Sequence, residues 1–338
     1  MADIRSRLSA CLAGLAALVL SGCASVFPPT GVILSQYAGE HVVPYAQATT
    51  DTQMAVCGTG LGTSHLIGSF SRVSFDPHYL MFYNAQLAAY CSEASAHDAS
   101  LRYLRARNQG QIAEATDALN EEKNWHALTA RRRFESYSHM VQAYEDPGQG
   151  ECPFFWYDDD ELAFMLGLVT GMQAVRSDML SGAQVGVPRN LAVHAAAGAN
   201  CLDNTKWWGV PDAIRATVWA YVPGTQPEDA DIWETYRSAA EVAGQSGMRL
   251  ALALYATGAD NRGNVEELKN AIRLAAEIGK KTAPPQANKL VDAISMDVVQ
   301  YFSDKIWTEE AGHRTPVGAL GTFPNEGGSA DIDTEGLL

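Results

Sequence analysis

The chain reads as an all-α protein: a helical bundle of antiparallel helix pairs with degenerate tetratricopeptide-like repeats. Three observations predict it. Apolar residues recur three or four apart through most of residues 76–311, the period of an amphipathic helix. Acidic, Asn and Pro punctuation falls where such stretches begin or end. No segment shows the strict alternation of a half-buried strand.

The first helix starts at Asp76-Pro77, an acidic cap followed by proline in the first turn. Leu80, Tyr83, Leu87 and Cys91 then mark its apolar stripe. A second covers about 111–146 through Ile112, Ala115, Leu119, Leu128, Phe134, Tyr137, Val141 and Tyr144, and Asp146-Pro147-Gly148 ends it. The third runs from Asp158 to Leu180. Its opening Asp158-Asp159-Asp160-Glu161 suits the amide end of a helix. Gly167 and Gly171 inside it cost about 1 kcal/mol each in water, so they allow close packing or clear room for a ligand.

Further helices are expected at about 188–200, 211–222, 228–244, 247–258, 264–281 and 285–309. Pro211 marks one start and Pro284-Pro285 another. Asn264 followed by Glu267 has the capping-box pattern. The pairs 228–244 with 247–258, and 264–281 with 285–309, have roughly the repeat length of tetratricopeptide helices. Residues 312–338 carry Pro316, Gly318, Gly321, Pro324, Gly327 and Gly328, and read as a tail that wraps the surface or is disordered.

The amino terminus carries an address. Arg5 and Arg7 precede an apolar run from Leu8 to Leu20, and Ser21-Gly22-Cys23 follows. The run is too short to cross about 30 Å of hydrocarbon as a helix, and the pattern is that of a secretory signal. The segment resembles the lipobox of bacterial lipoproteins. That resemblance implies lipidation of Cys23 and, with Ala24 next, the periplasmic face of the outer membrane. The organisation is then a signal peptide at 1–22, a lipidated N-terminus with linker and loop at 23–75, a helical ligand-binding domain at 76–311, and the tail at 312–338.

The 338 residues contain 24 Lys+Arg and 39 Asp+Glu, a net charge of −15. Such an acidic body should repel nucleic acid and gains little from anionic lipid. With Cys11 in the signal and Cys23 lipidated, Cys57, Cys91, Cys152 and Cys201 remain. Four thiols in an oxidising compartment predict two disulfides with three possible connectivities, of which 57–91 and 152–201 follow chain order. The cysteines are too scattered for a zinc site, and no metal or other cofactor is expected.

Motifs for catalysis are weak. Gly58, Gly60 and Gly62 lack the spacing and flanking elements of a phosphate loop. Ser64-His65 lie outside any G-x-S-x-G elbow. The run Asp158–Glu161 lacks the ligand spacing of a calcium loop. His139 reads as structural, and Arg131-Arg132-Arg133 as a solvated face. The expectation is a binding protein, not an enzyme.

The aromatic clusters point to a ligand. Phe154, Phe155, Trp156 and Tyr157 follow Cys152. Trp207 and Trp208 follow Cys201, and Trp219 and Tyr221 end a later helix. A 152–201 disulfide would bring the first two clusters together, because it holds its α-carbons within about 7 Å. Phe155, Trp156, Tyr157, Trp207, Trp208, Trp219 and Tyr221, with Met165 and Met172, are candidates to line an apolar pocket. Plain core packing is the competing role.

The stretch from Trp233-Glu234 through Ser246-Gly247-Met248-Arg249-Leu250 to Asn264-Val265-Glu266-Glu267-Leu268, with the lipobox and helical body, resembles the T-component lipoproteins of tripartite periplasmic (TRAP) transporters. Within them it is most similar to the lipoprotein component of bacterial sterol transport in methanotrophs. The likeness covers about residues 76–300 and rests on layout. It implies transfer of a sterol or similar apolar lipid between inner and outer membranes, in exchange with a periplasmic carrier protein or an inner-membrane transporter. The alternative is a helical-repeat protein–protein interaction module of such a transporter system.

Overall fold

The computed structural model describes residues 78–324 and Glu326, together with Val32, Ile33, Gln36, Gly39 and Glu40. The signal, Cys23, Cys57, the glycine loop and the Asp76-Pro77 cap lie outside the described residues, as does the end of the tail. Among the described residues there are nine α-helices and no strand.

The two longest helices, α1 (His78–Asn108) and α2 (Ile112–Tyr144), form a hairpin. α1 runs well beyond the stripe that ends at Cys91, because Ala96, Ala99, Leu101 and Leu104 continue the buried face. Both helices are rich in buried alanine: Ala85, Ala88, Ala89, Ala96 and Ala99 in α1, and Ala118, Ala127 and Ala130 in α2. Small side chains suit close packing of the two axes, and added bulk there would be costly.

α3 (Asp158–Ser181) packs on α2. Its two internal glycines serve close approach. A Cβ at Gly167 would fall 2.3 Å from Met140, and one at Gly171 2.6 Å from Tyr137. The helix ends at Gly182, whose φ of 86° is the left-handed conformation that glycine adopts without strain. Asp178 then pins the following loop by accepting from the amides of Val185 (2.8 Å) and Val187 (2.9 Å).

The short α4 (Leu191–Ala199) leads through a turn to α5 (Val210–Tyr221), with Pro211 in its first turn as expected. α6 (Ile232–Ser246) and α8 (Val265–Lys281) carry side-chain caps. Asp231 accepts from the Glu234 amide at 2.7 Å, and Asn264 accepts from the Glu267 amide at 3.2 Å, which is half of the expected capping box: the Asn264 amide donates instead to the Ala259 carbonyl at 2.9 Å, and the Glu267 carboxylate takes Arg237 and the Tyr255 hydroxyl. α7 (Leu250–Asn261) lies between them, and α9 (Lys289–Ala311) follows the Pro284-Pro285 start.

The helices close on themselves. Each of α1 to α5 packs on the next, α5 on both α6 and α7, α7 on α8 and α9, and α9 returns to α1. α7 is almost wholly buried, which explains its unbroken Leu-Ala-Leu-Ala-Leu-Tyr-Ala opening. Tyr236 of α6 and Tyr255 of α7 stack at 4.7 Å in this core, and the Tyr236 hydroxyl bonds Thr217 Oγ1 at 2.8 Å. The first part of the tail packs onto this body. Phe323 is buried beneath Lys269 and Arg273, and the Trp307 indole donates to the Thr322 carbonyl at 3.0 Å.

Candidate functional site

Cys152 and Cys201 form a disulfide with α-carbons 5.4 Å apart, tying the loop before α3 to the end of α4. Cys91 is also disulfide-bonded, and the expected partner, Cys57, lies outside the described residues. The 152–201 link ties together the segments that carry the first two aromatic clusters, but the clusters have different roles.

Trp207 and Trp208 are buried in the core, edge to face at 5.5 Å, and the Trp207 indole donates to Glu161 Oε1 at 2.6 Å. Phe155 is half-buried against Phe164 (5.3 Å) and Tyr144 (5.9 Å). Met165 and Met172 are sealed in the interior of α3. Trp219 and Tyr221 are half-buried at the end of α5. Burial pushes the Tyr221 phenol up to about 12, against the opposing Arg176 charge. These residues fill space between helices.

The other members face outward. Phe154 is 75% exposed, Trp156 79% and Tyr157 75%, although aromatics of this size are normally covered. Phe154 and Trp156 meet edge to face at 5.0 Å. The loop that carries them is held by the disulfide on one side and by α3 on the other. The acidic first turn of α3 lies directly beside them. Lys206 bridges Asp158 (2.8 Å) and Glu161 and sits 5.1 Å over the Trp207 ring. Asp160 accepts from the Tyr144 hydroxyl at 2.9 Å. These carboxylates cap and tie the helix. Among the described residues no group of three His, Cys, Asp or Glu is placed to hold a metal.

Sequence reasoning missed a buried charged network between α1, α2, α3, α7 and α9. Arg133 departs from the solvated face expected of Arg131–Arg133. It is buried and paired with Glu93 of α1, while Arg132 donates to the Ala88 carbonyl at 2.6 Å. Asp260 of α7 receives both Arg176 of α3, at 3.4 Å, and Lys305 of α9. His126 is 1% exposed, and among the described residues its Nδ1 has no hydrogen-bond partner. Burial, then the Arg176 charge, lowers its imidazole to about 3. His97 is also lowered to about 3 by burial, then Arg176 and Arg133. Both rings are neutral near pH 7. His139 stacks on His78, with their Nδ1 atoms 3.0 Å apart.

The network borders a cleft of about 270 Å³ between α1 and α9. Tyr90, Glu93 and His97 line one wall, and Asp297, Tyr301 and Asp304 the other. Both triplets step by three or four residues, which places each on one helix face. That spacing was the available signal. A second cleft, of about 60 Å³, lies among Gln86, Leu87, Leu166, Val169 and Val291.

Comparison with protein-family models, with curated proteins and with solved structures found no match to this chain. No helix among the described residues is long and apolar enough to cross a membrane.

Proposed function

We propose that the chain is a lipid-anchored envelope protein that docks a protein partner, with Phe154, Trp156 and Tyr157 as the contact. The observation that carries this reading is their exposure on a loop pinned by a disulfide. Large aromatics held out in a fixed geometry bind at low entropic cost and are the commonest energetic anchors of interfaces. The neighbouring carboxylates, with Asp158 open to solvent, select the partner's chemistry: an apolar pocket with a basic rim. The same charges disfavour an anionic bilayer as the occupant. The helix pairs α6–α7 and α8–α9 would serve as tetratricopeptide-like units of the scaffold.

The sterol-carrier reading draws less from the molecule. It needs a wide apolar hollow, whereas Met165, Met172, Trp207 and Trp208 are spent on packing. The 270 Å³ cleft is polar, and a cavity of about 150 Å³ holds one benzene ring.

Affinity capture from the native envelope tests the proposal, using the anchored chain beside a Phe154→Ser, Trp156→Ser double variant. One stoichiometric protein whose directly titrated affinity falls at least tenfold in the variant supports it. Equal capture by both forms refutes it, and saturable binding of a sterol panel would restore the carrier reading.

A further inference from the structure

We propose that the cleft between α1 and α9 binds a small organic cation with N–H donors, a primary amine or a guanidinium. The site is distinct from the aromatic loop and does not depend on the docking function. Its cavity of about 270 Å³ suits roughly ten non-hydrogen atoms, scaled from the 150 Å³ that accommodate benzene.

The lining selects positive charge. Four acidic residues line the space, Glu93, Asp98, Asp297 and Asp304, against one basic residue, Arg314. Glu93 is already held by Arg133, and Asp304 accepts from the Thr315 amide at 3.1 Å and from Gln300 at 2.7 Å. Asp297 accepts from the Tyr90 hydroxyl and, among the described residues, has no cationic partner. A carboxylate bordering a concave, partly dry site favours a bound ammonium far more than one in open water does.

His97 supplies a second, independent feature. Its ring lies flat on Tyr301, with centroids 3.7 Å apart. The ring lines the cleft, is half-buried, and among the described residues its nitrogens make no hydrogen bond. A neutral imidazole offers one acceptor nitrogen, which an amine or guanidinium N–H satisfies and a quaternary ammonium cannot. Tyr90 and Tyr301 add aromatic walls, which attract cations.

Arg314 also lines the cleft. It pairs with Asp98 at 2.9 Å from the strap after α9, and that strap is held by Ser303 on Thr315 at 2.8 Å. Its guanidinium is an internal competitor of the ligand class the cleft would take. The proposal therefore makes two variants move in opposite directions.

The experiment is calorimetric titration of the full chain with putrescine and agmatine, with choline and glutamate as controls. Saturable one-to-one binding of the amine or guanidinium is expected, at least tenfold tighter than choline and with no glutamate binding. Asp297→Asn should weaken it at least tenfold, and Arg314→Ala should strengthen it about threefold or more. Unchanged thermal melting of both variants confirms that they fold. If a variant melts early, His97→Phe replaces it and must weaken amine binding without affecting choline. Absence of saturable amine binding in both wild type and Arg314→Ala overturns the proposal. So does binding that neither variant alters, or a preference for glutamate.

Discussion

Lowering the pH should loosen this fold well above the range in which ordinary carboxylates protonate, and His126 offers the clearest handle. His126 is 1% exposed, and burial holds its imidazole, like that of His97, at about 3, against an ordinary value near 6.5. Between those values the unfolded chain binds a proton that the folded chain refuses. Stability from each neutral histidine is therefore fully present above about pH 6.5 and is lost as the pH falls toward 3. One unit of pKa difference is about 1.4 kcal/mol, so acidification from pH 6.5 to 4.5 removes up to about 2.7 kcal/mol per histidine. Glu122, 4.0 Å from the His126 ring, works the other way. Burial raises its carboxyl, and that contribution declines as the pH rises. His126→Leu nearly keeps the volume, removes the titration and deletes a buried Nδ1 that has no hydrogen-bond partner among the described residues. Urea unfolding by circular dichroism at pH 7, 6, 5 and 4.5 reads the effect. The wild type should lose stability on acidification, and the variant should lose about 1.4 kcal/mol less per pH unit. Equal slopes for the two proteins, or a wild type that gains stability toward pH 4.5, would refute the reasoning.

Other perturbations probe the scaffold. The Cys152–Cys201 link closes a loop across 49 positions of sequence, so replacing both cysteines by serine should cost about 2–4 kcal/mol in thermal unfolding and broaden the fluorescence of Trp156. Asp292 is buried and accepts from the Arg249 amide and guanidinium, both at 2.9 Å. Asp292→Ala leaves that cation unpaired and should lower stability by about 3–5 kcal/mol in denaturant titration. A Cβ at Gly258 would fall 2.1 Å from the Tyr236 hydroxyl. Gly258→Ala should therefore destabilise by about 1–3 kcal/mol despite its better helix propensity, and Gly258→Ala with Tyr236→Phe should recover part of that loss.

The helices were legible because caps and apolar spacing are local properties. The Asn264–Glu267 pattern and the proline starts at 211 and 284–285 are signals of the chain itself, and they correspond to α8, α5 and α9. The length of α1 was less legible. Its buried face past Cys91 is built of alanine and polar residues, so the apolar stripe fades although the burial continues. The Cys152–Cys201 pairing was one of three connectivities that composition allowed, and only the packing of α4 against α3 selects it.

The aromatic set illustrates what periodicity cannot resolve. Trp207 and Trp156 look alike in sequence, yet one donates to Glu161 within the core and the other faces water. The difference lies in the turn on which each sits. The charged interior was hidden for the opposite reason. Arg133 follows Arg131 and Arg132 in an acidic protein, and a run of charges normally marks a solvated face. Its partner Glu93 is forty residues away, on a helix that only the α1–α2 hairpin brings alongside.

Photo-crosslinking in intact cells, with the reactive side chain placed at position 156 or at position 172, tests most directly whether the molecule works at its surface. One discrete protein adduct from position 156, and none from the buried position 172, is the predicted result. A sterol or other lipid adduct from position 172, with position 156 unreactive, would contradict it.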